Sequence, residues 1–381
     1  MIPLNSLRPV YVVGVGMHPY QFPSDTPYIE MGLTAVRAAL SDAEIAFPSV
    51  ESAFIGCTGI GMGAGRIMFN HLGATGLACT QVENASASGA SAFQQAVLDV
   101  ASGRREVSLA VGIDKYKDQV RAIQKEGVGR LSDTAEVPLV QFALMAETLR
   151  QTAGLTAEDL AMVASKNHGN AALNPFAQFR KPRTVEQVLA SHPVAGMVTS
   201  LMCCPRGEGA AAAIVVSEDS IQKLGISGAK PIRVAGSFDA SERRRTSREI
   251  PAVTLAKDVA EEVYRQADIS AKELDVVELH DAFAVEEIFY TESFGLVPKG
   301  QGQDFVRSGG SAIGGQCSVN SSGGLIGQGH PLGPTGLGQI HEVVNQLRGI
   351  NGQRQQPNAK TGMAHMIGLG AISIAHIFKK D

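Results

Sequence analysis

Tryptophan is absent, and aromatic residues make up only 5% of the 381 positions. A site that grips sugars or bases by stacking is therefore not expected. Cysteine is sparse too: Cys57, Cys79, Cys203, Cys204 and Cys317 are odd in number and lack metal-ligand spacing. This argues against a disulfide framework or a metal site and predicts buried structural thiols in a reducing cytosol. No apolar run reaches the roughly 18 residues that span a bilayer. The N-terminal stretch has no basic segment followed by an apolar one, so the sequence predicts a soluble cytoplasmic protein with no export signal. There is no charge excess either: a net charge of −4 with interspersed signs points to neither nucleic acid nor a membrane surface as main partner. Glycine, by contrast, is abundant at 42 residues, which implies tight turns and backbone lying close to a ligand.

The apolar pattern alternates between strand and helix. Short glycine-bounded apolar runs at 10–16, 53–57, 80–83 and 107–113 predict strands, and helical spacing at 28–40 and 86–103 predicts helices between them. This alternation predicts a mainly parallel sheet with helices on its faces. From about 114 to 205 charge rises and strands fade, which reads as an inserted loop domain with helices near 139–152 and 157–172. A strand at 210–217 resumes the first pattern. The order then repeats: strand 231–236, helix 255–267, strand 276–279, helices 284–294 and 333–347, and closing strands 364–370 and 372–376. A duplicated α/β unit with halves 1–218 and 219–381 is the economical architecture, two sheets sharing helices between them.

Three polar clusters fall where strands stop and helices start, the usual place for a ligand crevice in such a fold. One is Ser86, inside Val82-Glu-Asn-Ala-Ser-Ala-Ser-Gly89; its bland reading is a helix N-cap. Another is the pair His280-Asp281. The third is His330, in Gly327-Gln-Gly-His-Pro-Leu-Gly333, where glycines and a proline hold a histidine suited to accepting and returning a proton. Near the C-terminus, Gly368 and Gly370 either offer backbone N–H groups to a developing oxyanion or simply permit a tight strand crossing. In the insertion, Arg180, Lys181 and Arg183 form either a solvated face or a patch for cofactor phosphates.

Six motifs in order, Val82-Glu-Asn-Ala-Ser-Ala-Ser-Gly89, Lys166-Asn-His-Gly-Asn170, Cys204-Pro-Arg-Gly-Glu-Gly-Ala-Ala211, His280-Asp-Ala-Phe283, Gly329-His-Pro-Leu-Gly333 and His365-Met-Ile-Gly368, cover essentially the whole chain. Together they resemble the thiolase superfamily, and most closely its sterol-carrier-protein-type and archaeal members. The resemblance implies a layered αβαβα core and a homodimer, with coenzyme A or acyl-CoA as substrate and no permanently bound cofactor. It also implies a separate zinc-ribbon and OB-fold partner that helps form the acyl-CoA entrance. It places Ser86 at the acyl-accepting position and His330 as the activating histidine. His280 falls at a contact for the thioester oxygen, and Gly368 joins the N–H of residue 86 in an oxyanion hole. The coenzyme A tail then falls to the insertion, with Arg180, Lys181 and Arg183.

Two departures from that pattern bear on activity. Ser86 stands where the family has a nucleophilic cysteine, either as an introduced replacement or as a tolerated substitution, and a hydroxyl is far harder to deprotonate than a thiol. Ala282 and Met366 stand where the family's two types carry the second catalytic cysteine, and neither moves a proton. Three activities follow: an attenuated acyltransferase acting on a 3-oxoacyl-CoA, a retro-aldolase acting on a 3-hydroxyacyl-CoA, or a non-catalytic acyl-CoA- or lipid-binding subunit. Both histidines favour the first.

Overall fold

The computed structural model describes residues 2–116, 130–132, 135–226, 230–243, 250–368 and 372–381. The first half contributes strands β1 (Val10–Gln21), β2 (Ser52–Gly56), β3 (Ala78–Val82), β4 (Val107–Asp114) and β5 (Glu208–Ser217). The second contributes β6 (Ile232–Ser241), β7 (Val276–Glu278), β8 (Ser318–Val319), β9 (Thr361–Gly368) and β10 (Ile372–Lys379). Across the hydrogen-bonded array the order is β8-β7-β9-β10-β6-β1-β5-β4-β2-β3. Counted outward from the centre, both halves therefore repeat one strand order. The seam between β1 and β6 is only two residue pairs, Tyr11 with Arg233 and Val12 with Ile232.

The expectation of a mainly parallel sheet needs correcting at one strand per half. β2 runs parallel to β3 and β4, and β7 to β8 and β9. β5, however, lies antiparallel between β1 and β4, and β10 lies antiparallel between β6 and β9. β10 follows its neighbour β9 through a short connection, too short for the crossover that a parallel neighbour requires.

Among the described residues, seven longer helices complete the layers: α1 (Tyr28–Asp42), α2 (Ser88–Ala101), α3 (Val137–Ala153), α4 (Ala157–Ala172), α5 (Pro251–Ala267), α6 (Ala284–Ser293) and α7 (Thr335–Arg348). Phe93 and Val97 of α2 and Leu337, Ile340 and Val344 of α7 share one buried cluster with Val12, Val215, Ala364 and Phe378 from strands of both halves. Val36 and Ala39 of α1 cover the other face of the first half, against Ile55, Val111 and Ile214. Val259 and Val263 of α5 do the same for the second half, against Val277, Met363 and Ile377. Outer helix, strands, shared helices, strands and outer helix make up the αβαβα layering.

The insertion packs on the second half through α4. Lys166 bonds Glu287 at 3.1 Å and donates to the Val319 carbonyl at 2.7 Å. Asn170 donates to the Asn320 carbonyl, and Asn174 to the Ser322 carbonyl. The Lys-Asn-His-Gly-Asn motif is therefore a clamp over the β8 edge of the sheet. The opposite edge is open: Ala78, Thr80 and Gln81 of β3 are exposed.

Where α2 and α7 begin, the backbones of the two halves nearly touch. A Cβ on Gly89 would stand 2.2 Å from the Gly333 carbonyl oxygen, a contact that only backbone movement relieves. We expect Gly89→Ala to destabilise the fold by about 1–3 kcal/mol, read from thermal or denaturant unfolding. Gly169→Ala, at a helical site with open space around it, should be neutral or stabilising by about 0.5–1 kcal/mol.

Candidate active site

β3 ends at Val82, and the chain turns through Asn84–Ala87 into α2. Ala85 has φ of +48°, a left-handed conformation that alanine rarely adopts. The turn is tied from inside: the Ser88 hydroxyl accepts the Asn84 N–H at 2.9 Å and donates to the Ala85 carbonyl at 2.6 Å. The helix therefore starts at Ser88 rather than at residue 86, and Ser86 is not its cap. The Ser86 side chain is buried and its hydroxyl lies 3.2 Å from His330 Nε2.

His330 reaches this point from the loop before α7. Its Nδ1 lies 3.0 Å from the Thr335 hydroxyl, which itself donates to the Pro331 carbonyl. With that hydrogen committed, Thr335 accepts from Nδ1–H, and Nε2 is left with a lone pair facing Ser86. A hydroxyl and a base at this separation form a nucleophile pair. Thr335 does not stand out in the sequence as a site residue; its only signal is its place five residues after His330 at a helix start.

The third predicted residue joins them. The His280 ring stands edge-on to that of His330, with centroids 5.4 Å apart. Its Nδ1 lies 2.9 Å from Glu286 Oε1. Glu286, one turn into α6, is buried and absent from the sequence-based candidates, because a glutamate in the first turn of a helix reads as a cap. Asp281, adjacent in sequence to His280, faces elsewhere. It accepts from Asn167 Nδ2 at 2.8 Å and from the Leu325 N–H at 2.6 Å. Burial and the neighbouring Glu287 hold its carboxyl well above the usual range.

Gly368, the last residue of β9, closes the site. A Cβ there would lie 2.4 Å from the Asn84 carbonyl oxygen and 3.3 Å from the Ala87 methyl. The turn bearing Ser86 thus rests directly on Gly368. Gly370 lies outside the described residues. His365, in the same strand, is fully buried and bonds Ser373 at 3.1 Å. Burial and then nearby His280 push it well below its ordinary value, so it stays neutral.

The basic group lies beside the His330 loop rather than among the three polar residues. Gln178 and Phe179 donate backbone N–H groups to the carbonyls of Gln328 and Gly327. Arg180 follows directly; it is exposed and donates to the Ala177 and Pro175 carbonyls. Lys181 is exposed and Arg183 is half-buried. Asp114, at the end of β4, ties the His330 loop to the first half. It accepts from the Thr58 N–H and hydroxyl, each at 2.9 Å, and from the Gly333 N–H. Among the described residues no cluster of histidine, cysteine, aspartate and glutamate could hold a metal ion, and no helix is long and apolar enough to cross a membrane.

Comparison with known proteins finds the thiolase N-terminal domain over residues 10–188 and the thiolase C-terminal domain-like family over 236–380. The chain is 34% identical to the benzoylsuccinyl-CoA thiolase subunit BbsB of Thauera aromatica, over 95% of each. It is 32% identical to sterol carrier protein 2 of Oryctolagus cuniculus, over 99% of this chain and 73% of that protein. In fold it is similar to a solved Ltp2-ChsH2(DUF35) aldolase, with a TM-score of 0.87 at 23% identity over 98% of each chain.

Burial pushes the Asp114 carboxyl from 3.8 up to about 6, although its hydrogen bonds pull the other way. The folded chain therefore holds this proton more tightly than the unfolded one. The stability it contributes is complete below about pH 4 and lost as pH rises through about 6. Asp114→Asn removes the titration. Measured by denaturant unfolding, the wild type should lose about 3 kcal/mol relative to D114N between pH 3 and pH 7.

Proposed function

The chain belongs to the thiolase family, and on that footing we propose that it transfers an acyl group from a 3-oxoacyl-CoA through Ser86. The observation that carries this reading is the 3.2 Å approach of the Ser86 hydroxyl to His330 Nε2. His330 takes the Ser86 proton as Oγ attacks the 3-oxo carbon. The C2–C3 bond breaks, its electron pair passes to the thioester enolate, and the acyl group remains on Oγ until coenzyme A removes it. Backbone N–H groups at Ser86 and Gly368 would receive the oxyanion, and His280 the thioester oxygen. A serine in this place slows the reaction, because the imidazole must remove a far less acidic proton than that of a thiol.

The second reading is a retro-aldol cleavage of a 3-hydroxyacyl-CoA, which needs a base and no acyl-enzyme. It is favoured by the lack of a thiol at positions 86, 282 and 366 together. The aldolase named above shares the fold.

Exposed Arg180 and Lys181, with Arg183, would meet the coenzyme A phosphates, the preceding Gln178 and Phe179 being held to the His330 loop by backbone hydrogen bonds. The open β3 edge, four residues before Ser86, is the face for a homodimer, since exposed strand edges seek pairing. A further small zinc-ribbon and OB-fold partner is consistent with the Thauera relative being named a subunit and with the aldolase being a pair of proteins. The free cysteines suit the cytoplasm. The units carrying this site are the halves 1–218 and 219–381, with the insertion over about 114–205.

Thiolysis of a panel of 3-oxoacyl-CoA esters, with mass spectrometry of the Ser86 peptide, tests the reading. The wild type should show slow turnover and an acyl adduct on Ser86, and Ser86→Cys should be faster by about 10²-fold or more. No adduct and no thiolysis in either form would support the non-catalytic subunit. Release of an aldehyde or ketone from a 3-hydroxyacyl-CoA by the wild type would replace acyl transfer with the retro-aldol reading.

A further inference from the structure

Thiolase-type chemistry requires a proton to leave and return at the carbon beside the thioester, yet positions 282 and 366 are a buried alanine and a buried methionine. His330 is engaged at both ring nitrogens, by Thr335 and Ser86. His280 is arranged differently. Its Nδ1 is bound to Glu286 Oε1 at 2.9 Å, and Glu286 is held on two further sides. The Phe283 N–H donates to Oε2 at 3.0 Å, and the Tyr290 hydroxyl donates to Oε1 at 3.3 Å. A carboxylate accepting from all three fixes the ring proton on Nδ1 and leaves the lone pair on Nε2, at the far edge of the ring. Among the described residues the hydrogen bonding of this ring is confined to Nδ1. The ring is buried beside the Ser86–His330 pair.

We propose that His280 is a catalytic base that moves the Cα proton of the acyl-CoA, and that Glu286 is its positioning residue. This rests on the reading of the site as one that handles CoA thioesters; the neutral ring has no N–H free for the thioester oxygen, so the oxygen contact described there forms only once Nε2 has taken the proton. In the step, the Cα–H bond breaks and an N–H bond forms at Nε2. The C–H electron pair moves between Cα and the thioester carbon, and the charge resides on the thioester oxygen. Nδ1–H stays on Glu286, which stabilises the imidazolium. Return of the proton from Nε2 to Cα restores the acyl-CoA, so neither an oxidant nor a co-reactant is consumed. The competing group is the Cys204 thiol, because the Cys204 N–H donates to the Ala282 carbonyl at 2.8 Å and places that residue opposite the alanine.

The test is deuterium uptake at Cα of acetyl-CoA and butyryl-CoA by the full chain in heavy water, read by mass spectrometry. Uptake needs no acyl transfer, so it is scored independently of any adduct on Ser86. Uptake that persists while the Ser86 adduct assay fails overturns the acyl-transfer reading and leaves this proposal standing. His280→Ala should lower the exchange rate by about 10²-fold or more, and added imidazole should restore part of it. Glu286→Gln should lower the kcat of exchange by about 10-fold or more with KM within about twofold. A merely structural role would instead raise KM and lower the unfolding midpoint together. Cys204→Ala should exchange as the wild type does. The proposal is overturned by wild-type protein that shows no uptake from either thioester, by uptake that is unchanged in His280→Ala, or by uptake lost in Cys204→Ala.

Discussion

The contact between the starts of α2 and α7, Gly89 against the Gly333 carbonyl, is the constraint on which the rest of the site depends. Ser86 belongs to one half and His330 to the other, and each sits within three residues of that contact. A side chain at Gly89 would meet the Gly333 carbonyl at 2.2 Å, so the close approach that brings Ser86 to His330 requires glycine there. Asp114 reinforces the contact from the first half by accepting the Gly333 N–H. The duplication thus brings two strand ends and two helix starts to one point, with Ser86 from one half facing His330 from the other.

Buried carboxylates organise the loops around that point. Asp114 holds the His330 loop, Glu286 the His280 ring and Asp281 the start of the 324–327 turn. Glu278 accepts from the hydroxyls of Ser321 and Ser322 and from the Ser322 N–H, and burial together with nearby Glu342 raises its carboxyl. Each such group costs free energy to desolvate, and each offsets the cost through two or more directed donors. Such an arrangement trades stability for fixed geometry, which is what a site that must position two histidines and a hydroxyl requires.

The two edges of the sheet are treated unequally although the strand order is symmetric. The insertion seals the β8 edge through Lys166, Asn170 and Asn174, while β3 keeps an exposed row. The turn bearing Ser86 follows the open edge directly.

Much of this was legible in the chain alone. Alternating apolar runs located nearly every strand and helix, and polar residues at the junctions of strand and helix marked Ser86, His280 and His330, because local spacing shows where one pattern gives way to the other. The reversal of β5 and β10 could not be read there, since strand direction depends on the route of the connection and not on its apolar pattern. The helix start at Ser88 was hidden too: Ser86 reads as a cap until the left-handed Ala85 and the Ser88 hydroxyl tie the turn ahead of the helix. Thr335, Glu286 and Asp114 were invisible as site residues for a related reason. Each acts on a loop through a hydrogen bond that exists only once distant backbone has folded around it. The sequence by itself determined the duplicated α/β plan and the residue types at the candidate site. Only the tertiary structure decided which hydrogen each histidine carries, because a tautomer is set by the partner across the ring.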